Sequence, residues 1–274
     1  MVKILVLLEN TTKSSDLKYK HGLSLYIETE THKILFDMGP NDLFLKNAEM
    51  LGVDLADIDT AVISHGHVDH GGGLRYFLAK NQKAKIYLRP QAVEKHYVKV
   101  LGLPFYVGLD RSLVSGDRFV FTEECHKIDD EIILFSHVSG LFPLPDSDSN
   151  LFVKANGKIA PDDFVHEQNL IVSSGDKRVL LCGCAHAGIV NIVRKVQALI
   201  GEAPAAVVGG FHLYEPAARR YESDAYIDSV AASLAECPSA YYTCHCTGEK
   251  ACEKMKGRLG ARLTYLRTGA ELRI

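Results

Sequence analysis

The sequence predicts a mixed α/β fold, on three observations. The first 37 residues hold short apolar or alternating runs, 2–8, 21–29 and 33–37, separated by turn residues, which read as an antiparallel meander. The second half alternates strand-like runs (178–182, 205–208, 240–243) with runs of helical spacing (188–199, 221–236, 249–259). Several of the strand-like runs end in clusters of Gly, His, Cys and Asp, and the carboxyl ends of strands are where α/β proteins build their sites. Periodicity alone goes no further than "mixed α and β".

Taken in order, residues 2–8 form the first strand and Asn10 ends it. Residues 30–32 turn the second strand into the third, and Asn41 is a suitable N-cap for a helix through Met50, closed by Gly52. Residues 60–63 are an apolar run of the buried-strand kind, and a helix to about Lys80 follows a glycine-rich loop. A strand at 85–88, a short helix after Pro90, and a Gly-, Pro- and aromatic-rich stretch at 101–117 come next, then strands at 118–122 and 131–135. Residues 136–166, with Pro143, Pro145 and the run Asp146-Ser147-Asp148-Ser149-Asn150, read as a long loop. Loops of that length are uncommon unless they are lids or disordered, so this one is expected over the site, helping to choose the substrate. Strands at 169–173 and 178–182 are joined by the turn 174–177. Ile189, Val193, Val196 and Ile200, and later Ile227, Val230, Ala231 and Leu234, mark the buried faces of two helices. Strands at 262–266 and 270–274 close the chain. With no linker and no short-period repeat, residues 1–274 are expected to form a single domain.

Composition narrows the partners. Lys and Arg total 31 against 34 Asp and Glu, a net charge of −3 with no long basic stretch, which argues against a nucleic-acid partner. No apolar run approaches the roughly 20 residues of a membrane span, and the apolar part of the N-terminus is short for a signal peptide. The seven cysteines, an odd number without an export signal, read as reduced thiols of a cytoplasmic protein.

The chemistry concentrates in Ser64-His65-Gly66-His67-Val68-Asp69-His70, on the turn between the 60–63 strand and the next helix. His65 and His67, two apart in extended chain, point the same way and can share one cation. Asp69 and His70, past the bend, can face a second. Imidazole with carboxylate suits zinc, with iron or manganese as alternatives. Three further stretches repeat the context of a buried strand followed by His: Cys182-Gly183-Cys184-Ala185-His186, Gly209-Gly210-Phe211-His212 and Cys244-His245-Cys246. A Cys₄ zinc site from Cys182, Cys184, Cys244 and Cys246 is a further arrangement of these residues. Asp37, at a strand end, is placed to hold a ligand imidazole by its other nitrogen. His21 and His212 are candidates for the pocket wall or for substrate binding.

His65-x-His67-x-Asp69-His70 resembles the signature of the metallo-β-lactamase fold superfamily. Glu9-Asn10, His21-Gly22-Leu23-Ser24, Gly183-Cys184-Ala185-His186-Ala187-Gly188, Gly209-Gly210-Phe211-His212-Leu213 and His245-Cys246-Thr247-Gly248 resemble its dihydropteroate-synthase-like branch, over nearly the whole chain. The resemblance implies a four-layer αββα sandwich and one or two zinc ions. It also implies ligands from His65, His67, Asp69 and His70, with His245 as the last histidine, and Asp37 as a support. Where many relatives have Gly-Asp, this chain has Gly183-Cys184. Cys184 or His186 then replaces the missing ligand, or one metal position is weak. Near Ser139-Gly140, where another ligand is expected, the nearest histidine is His137.

The function expected first is a metal-dependent hydrolase, in which a metal-activated water attacks an ester, phosphoester or similar small molecule. Asp69 would orient that water. The helix start after His186 would favour an anionic group on the substrate. A pterin-joining transferase is the alternative; its flat-ring pocket would draw on Phe105, Tyr106, Phe142, Phe211 and Tyr214. A non-catalytic metal or ligand sensor is the third reading.

Overall fold

The computed structural model describes residues 1–155 and 157–274. Two seven-stranded sheets dominate it. The first runs Glu271–Arg273, Lys3–Leu8, Ser24–Glu28, Lys33–Phe36, Thr60–Val62, Lys85–Leu88, Phe119–Phe121. The second runs Leu263–Tyr265, Ala240–Thr243, Ala206–Gly209, Lys177–Cys182, Gln168–Ser174, Ile132–Ser136, Cys125–Lys127. Each is antiparallel on one side and parallel on the other. The parallel pairs join Lys33–Phe36 to Thr60–Val62 and onward, and Lys177–Cys182 to Ala206–Gly209 to Ala240–Thr243.

The alternation of side chains explains the layers. In Lys3–Leu8, Ile4 and Val6 face a core shared with Leu134, Leu170, Val179 and Val208 of the second sheet. Leu5 and Leu7 face the other way, onto Phe44, Ala48, Leu74 and Phe77 of the helices Leu43–Met50 and Leu74–Lys80. Beyond the second sheet, Leu180, Val207 and Tyr241 pack on the helices Ile189–Ile200, Asp224–Ala235 and Glu249–Leu259. Both sheets are thus buried on both faces, as a four-layer αββα sandwich requires.

Outside this plan, four strands form an outer sheet of order Lys158–Pro161, Leu151–Ala155, Lys95–Val100, Leu103–Tyr106. The sequence gives no sign of them. Every residue of the two flanking strands is exposed, so they carry no alternation of buried and polar positions. The 136–166 stretch therefore holds two strands and a 3-10 turn, Asp146–Asn150, where an irregular loop is expected. The helix expected from residue 221 begins instead at Asp224. Ser223 caps it by accepting from the Tyr226 amide, and Arg220–Tyr221 pairs with Tyr214–Glu215. Among the described residues no helix is long and apolar enough to cross a membrane.

Candidate metal centre

The parallel strands of both sheets end on one rim. Phe36 leads to Asp37, Val62 to Ser64–His70, Cys182 to Cys184 and His186, Gly209 to His212, and Thr243 to His245. Four of these connections contain a non-glycine residue with positive φ: Asp37 (59°), Ala185 (63°), His212 (48°) and His245 (52°). Such backbone costs roughly 1–3 kcal/mol per residue and gathers where function needs it. The His65–His70 turn is held by backbone bonds to several separate segments: Val68 N to Val107 O, Leu23 N to Asp69 O, Met38 N to His70 O and Gln168 N to Ser64 O.

The hydrogen bonds settle the imidazole tautomers. Ser64 gives its hydroxyl proton to Asp37 Oδ2 (2.7 Å), so it accepts from His65 Nδ1 (2.8 Å). His70 Nδ1 donates to Asp37 Oδ2 (2.6 Å), His186 Nδ1 to Asp148 Oδ1 (2.6 Å), and His245 Nδ1 to Asn10 Oδ1 (2.9 Å). In each ring Nδ1 is thus the outward donor, and Nε2 is turned into the site. His65 Nε2, His67 Nε2 and His186 Nε2 are buried without a hydrogen-bond partner. His70 Nε2 lies 3.1 Å from both His245 Nε2 and Cys184 Sγ. Ring nitrogens at that range share either a proton or a cation. Neighbouring ligands on a tetrahedral zinc, with Zn–N of about 2.0–2.1 Å, are separated by roughly 3.3 Å. The donors present fit a metal ion.

These donors form two adjoining groups, His65–Cys184–His186 and His70–Cys184–His245, with Cys184 common to both. Asp69 Oδ2 borders the second, 3.4 Å from His245 Nε2, 3.7 Å from His70 Nε2 and 3.1 Å from His21 Nε2. Burial pushes the Asp69 carboxyl up, but the surrounding imidazoles outweigh it and hold it well below the usual carboxylate range. His65 and His67 are held well below the ordinary imidazole range, by burial first and by each other's neighbours second, which keeps their lone pairs free of protons.

Ten of the residues singled out in the sequence meet here: His65, His67, Asp69, His70, Cys184, His186 and His245, with Asp37 beneath, His21 on Asp69, and His212 Nε2 3.1 Å from Asp148. His137 lies elsewhere; it is half exposed and 3.6 Å from Glu124. The four cysteines do not converge. Cys182 and Cys244 point into the two hydrophobic cores of the second sheet, while Cys184 and Cys246 face the site, because the strands end at Cys182 and Thr243 and the chain turns beyond them. The amides of His186 and Ala187 donate to Glu167 (2.7 and 3.0 Å), so that turn already has its anion.

Sequence reasoning missed several residues. Asp148 binds His186 and His212 but looks like any member of its acidic, serine-rich run. A fully buried trio, His96–Asp162–His166, sits beside His67. Asp162 Oδ2 joins His96 Nδ1 (2.9 Å) and His166 Nε2 (3.2 Å), and His166 Nδ1 accepts from Gly66 N (2.9 Å). Because that nitrogen accepts, His166 Nε2 must carry a proton, so His166 braces the loop and is not free to ligate. A polar pair, His166-Glu167, just ahead of a buried strand was the one available signal. Glu9 and Asn10 were visible only as part of a resemblance. They hold His245, through its amide (3.3 Å) and its ring.

A cavity of about 210 Å³ opens onto the centre. Its walls include Val68, Val98, Val107 and Leu151 on one side and Cys184, His186, His212 and His245 on the other, with Ser147, Asn150 and Glu215 among its polar lining.

This sandwich, with its donors on the shared rim, defines the class. The chain belongs to the metallo-beta-lactamase superfamily, whose family profile matches residues 19–214. In structure it is similar to a crystal structure described as a metal-dependent hydrolase of the beta-lactamase superfamily, with TM-score 0.86, 30% identity, and coverage of 100% of this chain and 99% of that one. In sequence it is similar to an uncharacterized protein of Methanocaldococcus jannaschii, 29% identical over 263 residues (93% of each chain). It is also 27% identical over 253 residues to the 7,8-dihydropterin-6-methyl-4-(beta-D-ribofuranosyl)-aminobenzene-5'-phosphate synthase of that organism, covering 85% of this chain and 82% of the relative.

Proposed function

We propose that the protein is a metal-dependent hydrolase of small molecules. One or two divalent cations, zinc first, would be held by His65, His67, Asp69, His70, Cys184, His186 and His245. The observation that carries this reading is the gathering of inward-facing ring nitrogens around Cys184: His70 Nε2 and His245 Nε2 3.1 Å apart, and His65 Nε2 and His186 Nε2 buried without a partner, with Cys184, His186 and His245 on the cavity wall. A bound divalent cation polarises a substrate carbonyl or phosphoryl oxygen and lowers the pKa of a coordinated water from 15.7 to about 7.

The chain's own residues do the rest. Asp37, Asn10, Asp148 and Ser64 fix the ring orientations, so little reorganisation accompanies reaction. Asp69 carries a full negative charge at the cavity wall, placed to accept a proton bond from an attacking water and steadied by His21.

The transferase reading rests on the dihydropterin-related relative. The cavity favours hydrolysis over it: none of Phe105, Tyr106, Phe142, Phe211 and Tyr214 is among the cavity-lining residues, and Phe211 is fully buried in the core. The test is a metal assay followed by hydrolysis of p-nitrophenyl acetate and bis-p-nitrophenyl phosphate. One to two equivalents of metal, with activity lost on chelation and in His67→Ala, is the expected result. Activity that survives both treatments would overturn the reading.

A further inference from the structure

We propose, building on the hydrolase reading, that the substrate is an uncharged carboxylic ester with an apolar acyl chain, and that the chain lies along the inner face of the outer sheet.

Apart from the cations of the hydrolase reading, the charges around the cavity offer an anionic group no partner. No Lys or Arg is among the lining residues, whereas Asp69 and Glu215 are. Asp148, bonded to His186 and His212, adds a third carboxylate, with its Oδ2 buried and unpartnered. Arg220, on the strand beside Glu215, directs its guanidinium at that carboxylate (3.5 Å). The backbone amides of His186 and Ala187 are taken by Glu167. Phosphate recognition ordinarily enlists Arg forks, Lys or free amides. Here no Lys or Arg lines the cavity, Arg220 is turned to Glu215, and the amides at the start of the helix after His186 are taken, so the metal ions alone would hold such a group.

The apolar side is continuous and has a direction. Leu151, Val98 and Phe105 are register partners across three strands, so their side chains share one face. Val100, two residues beyond Val98, and its partner Leu103 extend that face. Val98 and Leu151 line the cavity, while Phe105 and Leu103 are 52% and 63% exposed. The strip therefore begins inside the cavity, opposite the metal donors, and runs out past its mouth. A cavity of about 210 Å³ lies below the 300–1,000 Å³ usual for drug-sized ligands, so it suits an ester head, with the chain leaving along the strip. In the reaction the water oxygen bonds to the carbonyl carbon and the bond from that carbon to the alcohol oxygen breaks. The leaving oxygen takes a proton from the water, giving an acid and an alcohol.

The test compares p-nitrophenyl acetate, butyrate and octanoate with bis-p-nitrophenyl phosphate on the metal-loaded protein. Expected is a kcat/KM for octanoate at least about tenfold above acetate, from burial of methylenes on the strip, and a phosphodiester slower than any of the esters. In Phe105→Ser the octanoate-to-acetate ratio falls toward one; the ratio is internal to each variant, and Phe105 is exposed, so lost folding cannot mimic the effect. Equal rates along the series, or preference for the phosphodiester, overturn the proposal and leave the hydrolase reading standing. If no compound is hydrolysed, the hydrolase reading fails on these substrates, and calorimetric binding of octanamide against acetamide decides the strip. Octanamide at least about tenfold tighter supports it, and equal affinity overturns it.

Discussion

Asp37 Oδ2 lies 2.6 Å from His70 Nδ1, with both side chains wholly shielded from solvent, and the same carboxylate also takes the amide and hydroxyl of Ser64. One carboxylate thus orients His70 directly and His65 through Ser64. Asp37→Ala is expected to lower metal affinity by about 10–100-fold, as loss of such a partner does elsewhere. Competition with a chromophoric chelator measures this; an unchanged affinity would show that the rings are held by packing alone.

Asp148 does for His186 what Asp37 does for His70, from the 3-10 turn at Asp146–Asn150. Asp148→Asn is expected to reduce metal affinity by about tenfold or more, whereas Asp146→Asn leaves it unchanged. Parallel effects in the two variants would mean that only the net charge of the segment counts.

Cys184 is the sulfur common to both donor groups. Protein loaded with Co²⁺ is expected to show a sulfur-to-metal charge-transfer band that disappears in Cys184→Ser, together with a fall in bound metal per chain. A band that persists would transfer the role to Cys246.

Metal removal has a thermal signature. At free metal about 100 times Kd, one site adds about 2.7 kcal/mol, worth roughly 5 °C in Tm for a protein of this size. Differential scanning with and without chelator checks it; coincident curves would deny any metal bound to the native state.

The metal-free protein should also be most stable near neutrality. His65 and His67 have native pKa values depressed by burial and by neighbouring imidazoles. The unfolded chain therefore binds more protons below about pH 6.5, and stability falls on acidification. His70 behaves oppositely. Burial lowers it, but Asp37 and Asp69 outweigh that and lift it to about 9. Its contribution is full below about pH 6.5 and is lost as pH rises through 9. Urea midpoints across the pH range read both limbs, and a midpoint climbing steadily toward acid would contradict the assignment.

Gly183 has no room for a side chain. A Cβ there would sit 2.2 Å from Ser64 Oγ and 3.1 Å from His65 Nδ1. Gly183→Ala should cost about 1–3 kcal/mol and weaken metal binding together, read by urea melts and metal titration on the same sample.

What was legible in the sequence follows the physics of each signal. The central strands are apolar on both faces and the helices carry one apolar stripe, so both stood out, and Glu249–Leu259 and Lys85–Leu88 fall where expected. His65–His70 was legible because its ligands are adjacent in sequence. Asp148, Asn10 and the His96–Asp162–His166 brace were not, because they reach the site through tertiary approach from segments whose composition is ordinary. The outer sheet was hidden for a different reason: it borrows its stability from pairing while showing solvent a face of Phe, Leu and Lys.

Asn10 grips the ring of His245 across 235 positions of sequence, and the Glu271–Arg273 strand zips against Lys3–Leu8. A nascent chain leaving the ribosome therefore emerges with His65–His70 already exposed while the partners that complete the cage are still untranslated. Cation loading on the proposed site is therefore expected late in folding, once His245 has joined the histidine turn.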